Sequence, residues 1–217
     1  MKLTNQRSFP FNMKKKAIIF DLDNTIYPVS AIAAELFDSL FRLLDESGEL
    51  TQTLDDVKQN LMRRPFQLVA ANFGFSENLT QRGADLLANL RYEGPIAPFS
   101  DYAKTRTLPV EKFLVTTGFP ALQQSKVEGM GIEKDFREIH IVDLDKATKK
   151  EVFAGILDRH GYQRADVLVV GDDPESELKA AVELGIDAVL YDKINQHPGL
   201  TLFPRIRDFG ELRTFVL

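Results

Sequence analysis

Two aspartates one residue apart, Asp21 and Asp23, follow directly on the apolar run Ala17-Ile18-Ile19-Phe20, and Thr25 comes two positions later. Carboxylates held this close repel each other, and they coexist only with a cation, a proton or a partner. Similar punctuation recurs along the chain. Thr116 follows Phe113-Leu114-Val115, Asp172 follows Val167-Leu168-Val169-Val170-Gly171, and Lys149 follows Thr148. Each residue alone has an ordinary structural use, since Asp and Asn make turns and lysine is usually solvated. Their common placement is what points to chemistry.

The elements that must position them follow from periodicity. Ala17–Phe20 has the length and branched content of a strand buried on both faces. Lys112–Val115, Ile139–Val142, Asp166–Val170 and Ile186–Tyr191 read as further strands. Phe119-Pro120 opens a helix towards Met130, with Leu122 and Val127 inward. Thr148 and Glu151, three apart, form a capping box, which predicts a helix to Gly161 with Lys149 in its first turn. A lysine there opposes the helix dipole. Pro174 suits a first helical position and Asp173 the cap before it. Alternating strands and helices imply a parallel sheet, and right-handed crossovers bring the strand ends to one rim. Three carboxylates, a hydroxyl and an ammonium then converge where open α/β sheets bind ligands.

Between Ser30 and Arg91 the pattern is helical. Ala31, Ala34, Leu36, Phe37, Leu40, Phe41 and Leu44 predict one helix ended by Gly48; three more end near Pro65, Gly74 and Leu90. Gly94-Pro95 and Pro98 break the chain afterwards. The expected organisation is an N-terminal tail over residues 1–15, an α/β core over 16–28 and 96–217, and an inserted helical domain over 29–95. The tail is polar and lacks the apolar core of a secretory signal. The last segment, from Asp192, reads as a loop with a short helix from Phe209 to Phe215.

Composition bounds the function. A net charge of −5 argues against nucleic acid or an anionic membrane as the main partner. No stretch approaches the ~20 apolar residues of a membrane span. There is no cysteine, hence no thiol nucleophile or thiolate zinc site, and a reducing, cytoplasmic setting is expected. His140, His160 and His197 do not pair at metal-ligand spacing. The oligomeric state is not legible.

In this order and spacing, I-I-F-D-L-D-N-T, F-L-V-T-T-G, T-K-K-E and V-V-G-D-D-P-E-S-E resemble the four motifs of the haloacid dehalogenase-like (HAD) hydrolase superfamily, over about Ala17 to Tyr191. The resemblance implies a Rossmann-like, doubly wound parallel sheet with an α-helical cap after the first motif. It implies Asp21 as nucleophile forming an aspartyl-phosphate, Asp23 as general acid and base, Thr116 as phosphoryl donor and Lys149 as charge partner. Asp21, the backbone carbonyl of Asp23 and Asp172 are implied ligands of Mg²⁺, with Glu177 supporting the metal shell. Lys150 and Lys146 compete with Lys149, and a share for Asp173 in the metal site competes with the plainer reading of a helix cap. A carboxyl at position 23 favours phosphate-ester chemistry over dehalogenation or phosphonate cleavage. The expected activity is Mg²⁺-dependent hydrolysis of a small phosphomonoester. The alternatives are a phosphomutase of the same superfamily and a non-enzymatic phospho-aspartate switch, which the motif order disfavours. In the insert, Arg63, Arg64 and Arg91 are candidates for anion contact and Phe66 or Phe73 for stacking, against the plainer reading of solvated ends and core; Lys58 lacks a supporting pattern.

Overall fold

The computed structural model describes residues 14–216. Residues 1–13 of the expected tail lie outside the described residues. Lys15 departs from that expectation: it is buried, donates to the Ala165 carbonyl at 2.8 Å and pairs with Asp187. A buried ammonium needs such partners, so the last tail residue belongs to the core.

Six strands form one parallel sheet in the order β3-β2-β1-β4-β5-β6. They are β1 Ala17–Phe20, β2 Glu111–Thr117, β3 Glu138–Val142, β4 Val167–Gly171, β5 Asp187–Tyr191 and β6 Arg205–Ile206. β1 lies between β2 and β4, with Phe20 opposite both Leu114 and Val170. Its alternate residues feed two apolar clusters. Ile18 and Phe20 pack on one face with Leu114, Leu168 and Val189. Ala17 and Ile19 pack on the other with Phe113, Val115 and Val169. Burial on both faces explains the absence of polar alternation in β1.

Five helices separate β1 from β2: α1 Ala33–Leu36, α2 Asp38–Glu46, α3 Leu54–Leu61, α4 Phe66–Phe73 and α5 Glu77–Ala88. The single helix expected up to Gly48 is broken. Ile32 (φ −122°, ψ −10°) and Phe37 (φ −102°, ψ 9°) leave helical geometry, so Ile32 and Ala33 turn inward while Ala31 and Ala34 are exposed. Thr53 and Ser76 cap α3 and α5 through their hydroxyls. The insert shares its apolar cluster with the sheet, from Leu40, Val57 and Phe66 through Leu122 to Phe20.

Four helices follow: α6 Pro120–Met130, α7 Lys149–His160, α8 Glu177–Leu184 and α9 Arg213–Val216. α6 packs in the first cluster, α7 and α8 in the second. The capping box of Thr148 and Glu151 is formed. Pro174 does not start α8, which begins three residues later. The Asp173 carboxylate accepts instead from the Glu175 N–H at 2.8 Å, in a turn leading into the helix. β6 was not expected; two residues behind Pro204 carry no readable period.

Candidate active site

The strand ends meet at one rim. Asp21 N–H donates to the Val170 carbonyl, tying the residue after β1 to β4. Asn24 then takes φ 56°, a left-handed conformation that asparagine tolerates. Its amide donates to the Met62 carbonyl at 2.9 Å and accepts from the Val29 N–H, joining this loop to the insert. Thr25 Oγ1 lies 3.3 Å from Asp172 Oδ1, so the D-x-D-x-T turn touches the end of β4.

Asp21 is 6% exposed. Lys149, at the start of α7 and also buried, donates to Asp21 Oδ1 at 2.6 Å and to Glu177 Oε2 at 2.8 Å. Its rivals point elsewhere: Lys150 pairs with Glu183 on the surface and Lys146 with Asp143. Asp21, Asp172 and Glu177 each offer an oxygen within 4.8 Å of the others, the one such acidic or imidazole group among the described residues. Glu177 reaches there because residue 171 is glycine. A Cβ at Gly171 would lie 2.1 Å from Glu177 Oε1, which also accepts from the Asp173 N–H.

Charge in this trio is poorly compensated. Burial, assisted by repulsion from Glu177 and Asp23, raises the Asp21 carboxyl to about 7 despite Lys149. Burial, with Glu177 and Asp21 beside it, raises Asp172 well above the ordinary range. Burial also disfavours charge on Lys149, but Asp21 and Glu177 outweigh it and keep the ammonium protonated. Two buried carboxylates and the half-buried Asp172 against one lysine fit a divalent cation with oxygen ligands.

Asp23 faces a separate set of partners. Lys126 Nζ donates to both its oxygens, at 2.9 and 3.0 Å; Gln123 Nε2 donates to Oδ2 at 2.9 Å and the Tyr27 hydroxyl to Oδ1. Burial opposes charge on Asp23, but Lys126 and these hydrogen bonds outweigh it and hold the carboxyl below its ordinary range. Thr116, at the end of β2, is 1% exposed and accepts from the same Gln123 amide at 2.6 Å.

The sequence reading did not single out Tyr27, Gln123 or Lys126. A signal existed: Gln123 and Lys126 are three residues apart on a helix that opens just after the Thr116 strand end, interleaved with inward Leu122 and Val127.

A cavity of about 110 Å³ joins these groups to the insert, whose Arg63, Arg64, Phe66 and Gln67 help to line it. Both arginines are exposed, with no carboxylate within 4 Å among the described residues. Arg91 pairs with Glu128 instead, Phe73 is core, and Lys58 sits over the Phe41 ring.

A parallel Rossmann-like sheet with an acidic trio and a lysine at its carboxyl rim defines a class of α/β hydrolase. The chain matches the family "haloacid dehalogenase-like hydrolase" over residues 15–185, and it belongs to that family. It is 26% identical over 197 residues to glyceraldehyde 3-phosphate phosphatase of Methanopyrus kandleri, covering 80% of this chain and 82% of that protein. CbbY from Rhodobacter sphaeroides, solved in complex with phosphate, superposes with a TM-score of 0.68 at 15% identity, over 91% of this chain and 96% of that one. The HAD-hydrolase YfnB from Bacillus subtilis, solved bound to magnesium, gives 0.61 at 18% identity, over 94% and 99%. These two likenesses speak to the fold.

Proposed function

We propose that the chain is a Mg²⁺-dependent phosphatase acting on a small phosphomonoester through an aspartyl-phosphate on Asp21. The observation that carries this reading is the clustered trio Asp21, Asp172 and Glu177 with Lys149 as its one ammonium. The name of the Methanopyrus relative supports a small phosphorylated substrate and makes glyceraldehyde 3-phosphate the first to test.

Asp21 and Asp172 would hold Mg²⁺ with the backbone carbonyl of Asp23, and Glu177 offers a further oxygen. When bound, the ion supplies Lewis-acid neutralisation of the phosphoryl charge. The rest falls to the chain's own residues. Lys149 keeps its positive charge beside Asp21 and offsets repulsion between nucleophile and phosphate. Thr116 Oγ1, fixed by Gln123, donates its proton to a phosphoryl oxygen. Asp21 attacks phosphorus, the ester P–O bond breaks, and the leaving oxygen takes a proton from Asp23. Water then attacks the acyl phosphate while Asp23 takes a proton from it, releasing inorganic phosphate and regenerating Asp21. The Asp23 carboxylate is ionised beside Lys126, ready for the second step. For the first, Asp23 takes its proton from the monoanionic form of the substrate, which a second pKa of about 6 keeps populated as a minor form near neutral pH.

Residues 29–95 form the cap of this reading, over a core of 16–28 and 96–217. In support, the two connections run side by side, with the Phe99 N–H donating to the Ile26 carbonyl at 2.8 Å. The test is phosphate release from p-nitrophenyl phosphate and a panel of phosphometabolites, with and without Mg²⁺, alongside Asp21→Asn. Mg²⁺-dependent turnover abolished by the substitution is expected. A folded protein that hydrolyses no ester refutes the reading.

A further inference from the structure

Lys126 is 3% exposed on α6, and the one carboxylate within 4 Å of its ammonium is Asp23, among the described residues. Gln123, on the same side of the helix, is 2% exposed and has two partners, Asp23 Oδ2 and Thr116 Oγ1. Residues three apart on a helix share a face, and here Leu122, Ser125 and Val127 are buried beside the pair. A buried ion pair is a poor way to add stability, since apolar residues of similar volume often serve as well. What this pair does achieve is geometric. Asp23 receives donors on both oxygens, from Lys126, Gln123 and Tyr27, so neither χ1 nor χ2 can turn without breaking a bond. The Gln123 amide carries that constraint on to the Thr116 hydroxyl at 2.6 Å.

We propose that Lys126 and Gln123 are positioning residues: α6 clamps the Asp23 carboxyl in the orientation that serves the ester oxygen and registers it to the Thr116 phosphoryl contact. The inference rests on the phosphatase reading. In that reaction the ester P–O bond breaks as the Asp21–P bond forms, and the proton passes from Asp23 to the departing oxygen. A misplacement of about 1 Å at such a group costs on the order of 100-fold, whereas a leaving group that departs without a proton is spared that part of the loss.

The experiment compares rapid-quench burst rates of alcohol release for two substrates: p-nitrophenyl phosphate, whose phenolate leaves unprotonated, and the alkyl phosphate that the parent hydrolyses best. The quantity read is the ratio of the two rates. Lys126→Met is expected to slow the alkyl burst at least about 10-fold beyond any slowing of the aryl burst. Gln123→Leu, which removes no charge from the fold, should move the ratio the same way by less, and Lys126→Arg should recover part of it. Equal slowing of both bursts, or smaller bursts at unchanged rates as loss of folded protein would give, overturns the positioning role and leaves the phosphatase reading standing. A parent that shows no Mg²⁺-dependent hydrolysis overturns the phosphatase reading and this inference with it.

Discussion

Removing divalent cations should make this protein lose stability as pH rises through neutrality, and Mg²⁺ should reverse the loss. Burial raises the Asp21 carboxyl from 3.8 to about 7. A carboxyl whose folded-state pKa lies above its unfolded one makes folding take up a proton. Its penalty is absent below about 3.8 and complete above about 7. At 1.36 kcal/mol per pH unit, the difference corresponds to roughly 4 kcal/mol. Asp172 shifts in the same direction and adds to the trend. Lys149 and Asp23 are both shifted away from neutrality and do not share in this trend. For a chain of this size, 1 kcal/mol moves Tm by about 2–4 °C, so Asp21 alone sets a ceiling of roughly 8–16 °C. The assay is thermal and urea unfolding across pH 5–8.5, in EDTA and in Mg²⁺. The gap between the two conditions should widen with pH, and Asp172→Asn should narrow it and flatten the EDTA curve. A gap independent of pH, or one that survives Asp172→Asn, would refute the placement of the cation among these carboxylates.

Two further outcomes follow from the same geometry. Lys149→Met should lower kcat by about 100-fold or more, the scale of a lost charge-stabilising donor. Lys150→Met, which breaks a surface pair with Glu183, should stay within about twofold in the same steady-state assay. Gly171→Ala puts a methyl where Glu177 packs. It should destabilise the fold by about 1–3 kcal/mol and weaken Mg²⁺ binding in titration calorimetry; unchanged affinity would remove Glu177 from the metal site.

The strands and the rim were legible because burial on both faces leaves a plain signature, and because Asp21, Thr116 and Asp172 each interrupt an apolar run at its carboxyl end. Lys149 was legible as the residue after its cap. The polar face of α6 was not. Gln123, Ser125 and Lys126 carry no pattern of their own beside inward Leu122 and Val127, and only the fold turns them onto Asp23 and onto Tyr92, whose N–H donates to Ser125 Oγ. The break at Ile32 and Phe37 was hidden by apolar residues at helical spacing; backbone angles, not side-chain pattern, place it. His140, two residues along β3, and His160, at the end of α7, both reach Glu138, a meeting that needs the packing of α7 against β3 to be known.

Asp21 and Asp23 are two residues apart, yet their environments drive them in opposite directions. Asp21 shares its pocket with two carboxylates and one lysine, so its proton is retained near neutral pH. Asp23 accepts from an ammonium, an amide and a phenol and gives its proton up. Groups separated in this way are suited to different tasks. The order, however, is the reverse of what nucleophilic attack needs, since the nucleophile must be ionised. Under the proposed function a divalent cation among Asp21, Asp172 and Glu177 would correct this, because positive charge at that point would displace the Asp21 proton while Lys126 continued to govern Asp23. The five carboxylates lining the cavity face two buried ammonium groups, Lys126 and Lys149, with Arg63 and Arg64 at the exposed edge. A phosphomonoester entering the cavity without a cation would meet Asp21 in its protonated, non-nucleophilic form, so metal dependence is the outcome expected under the proposed function.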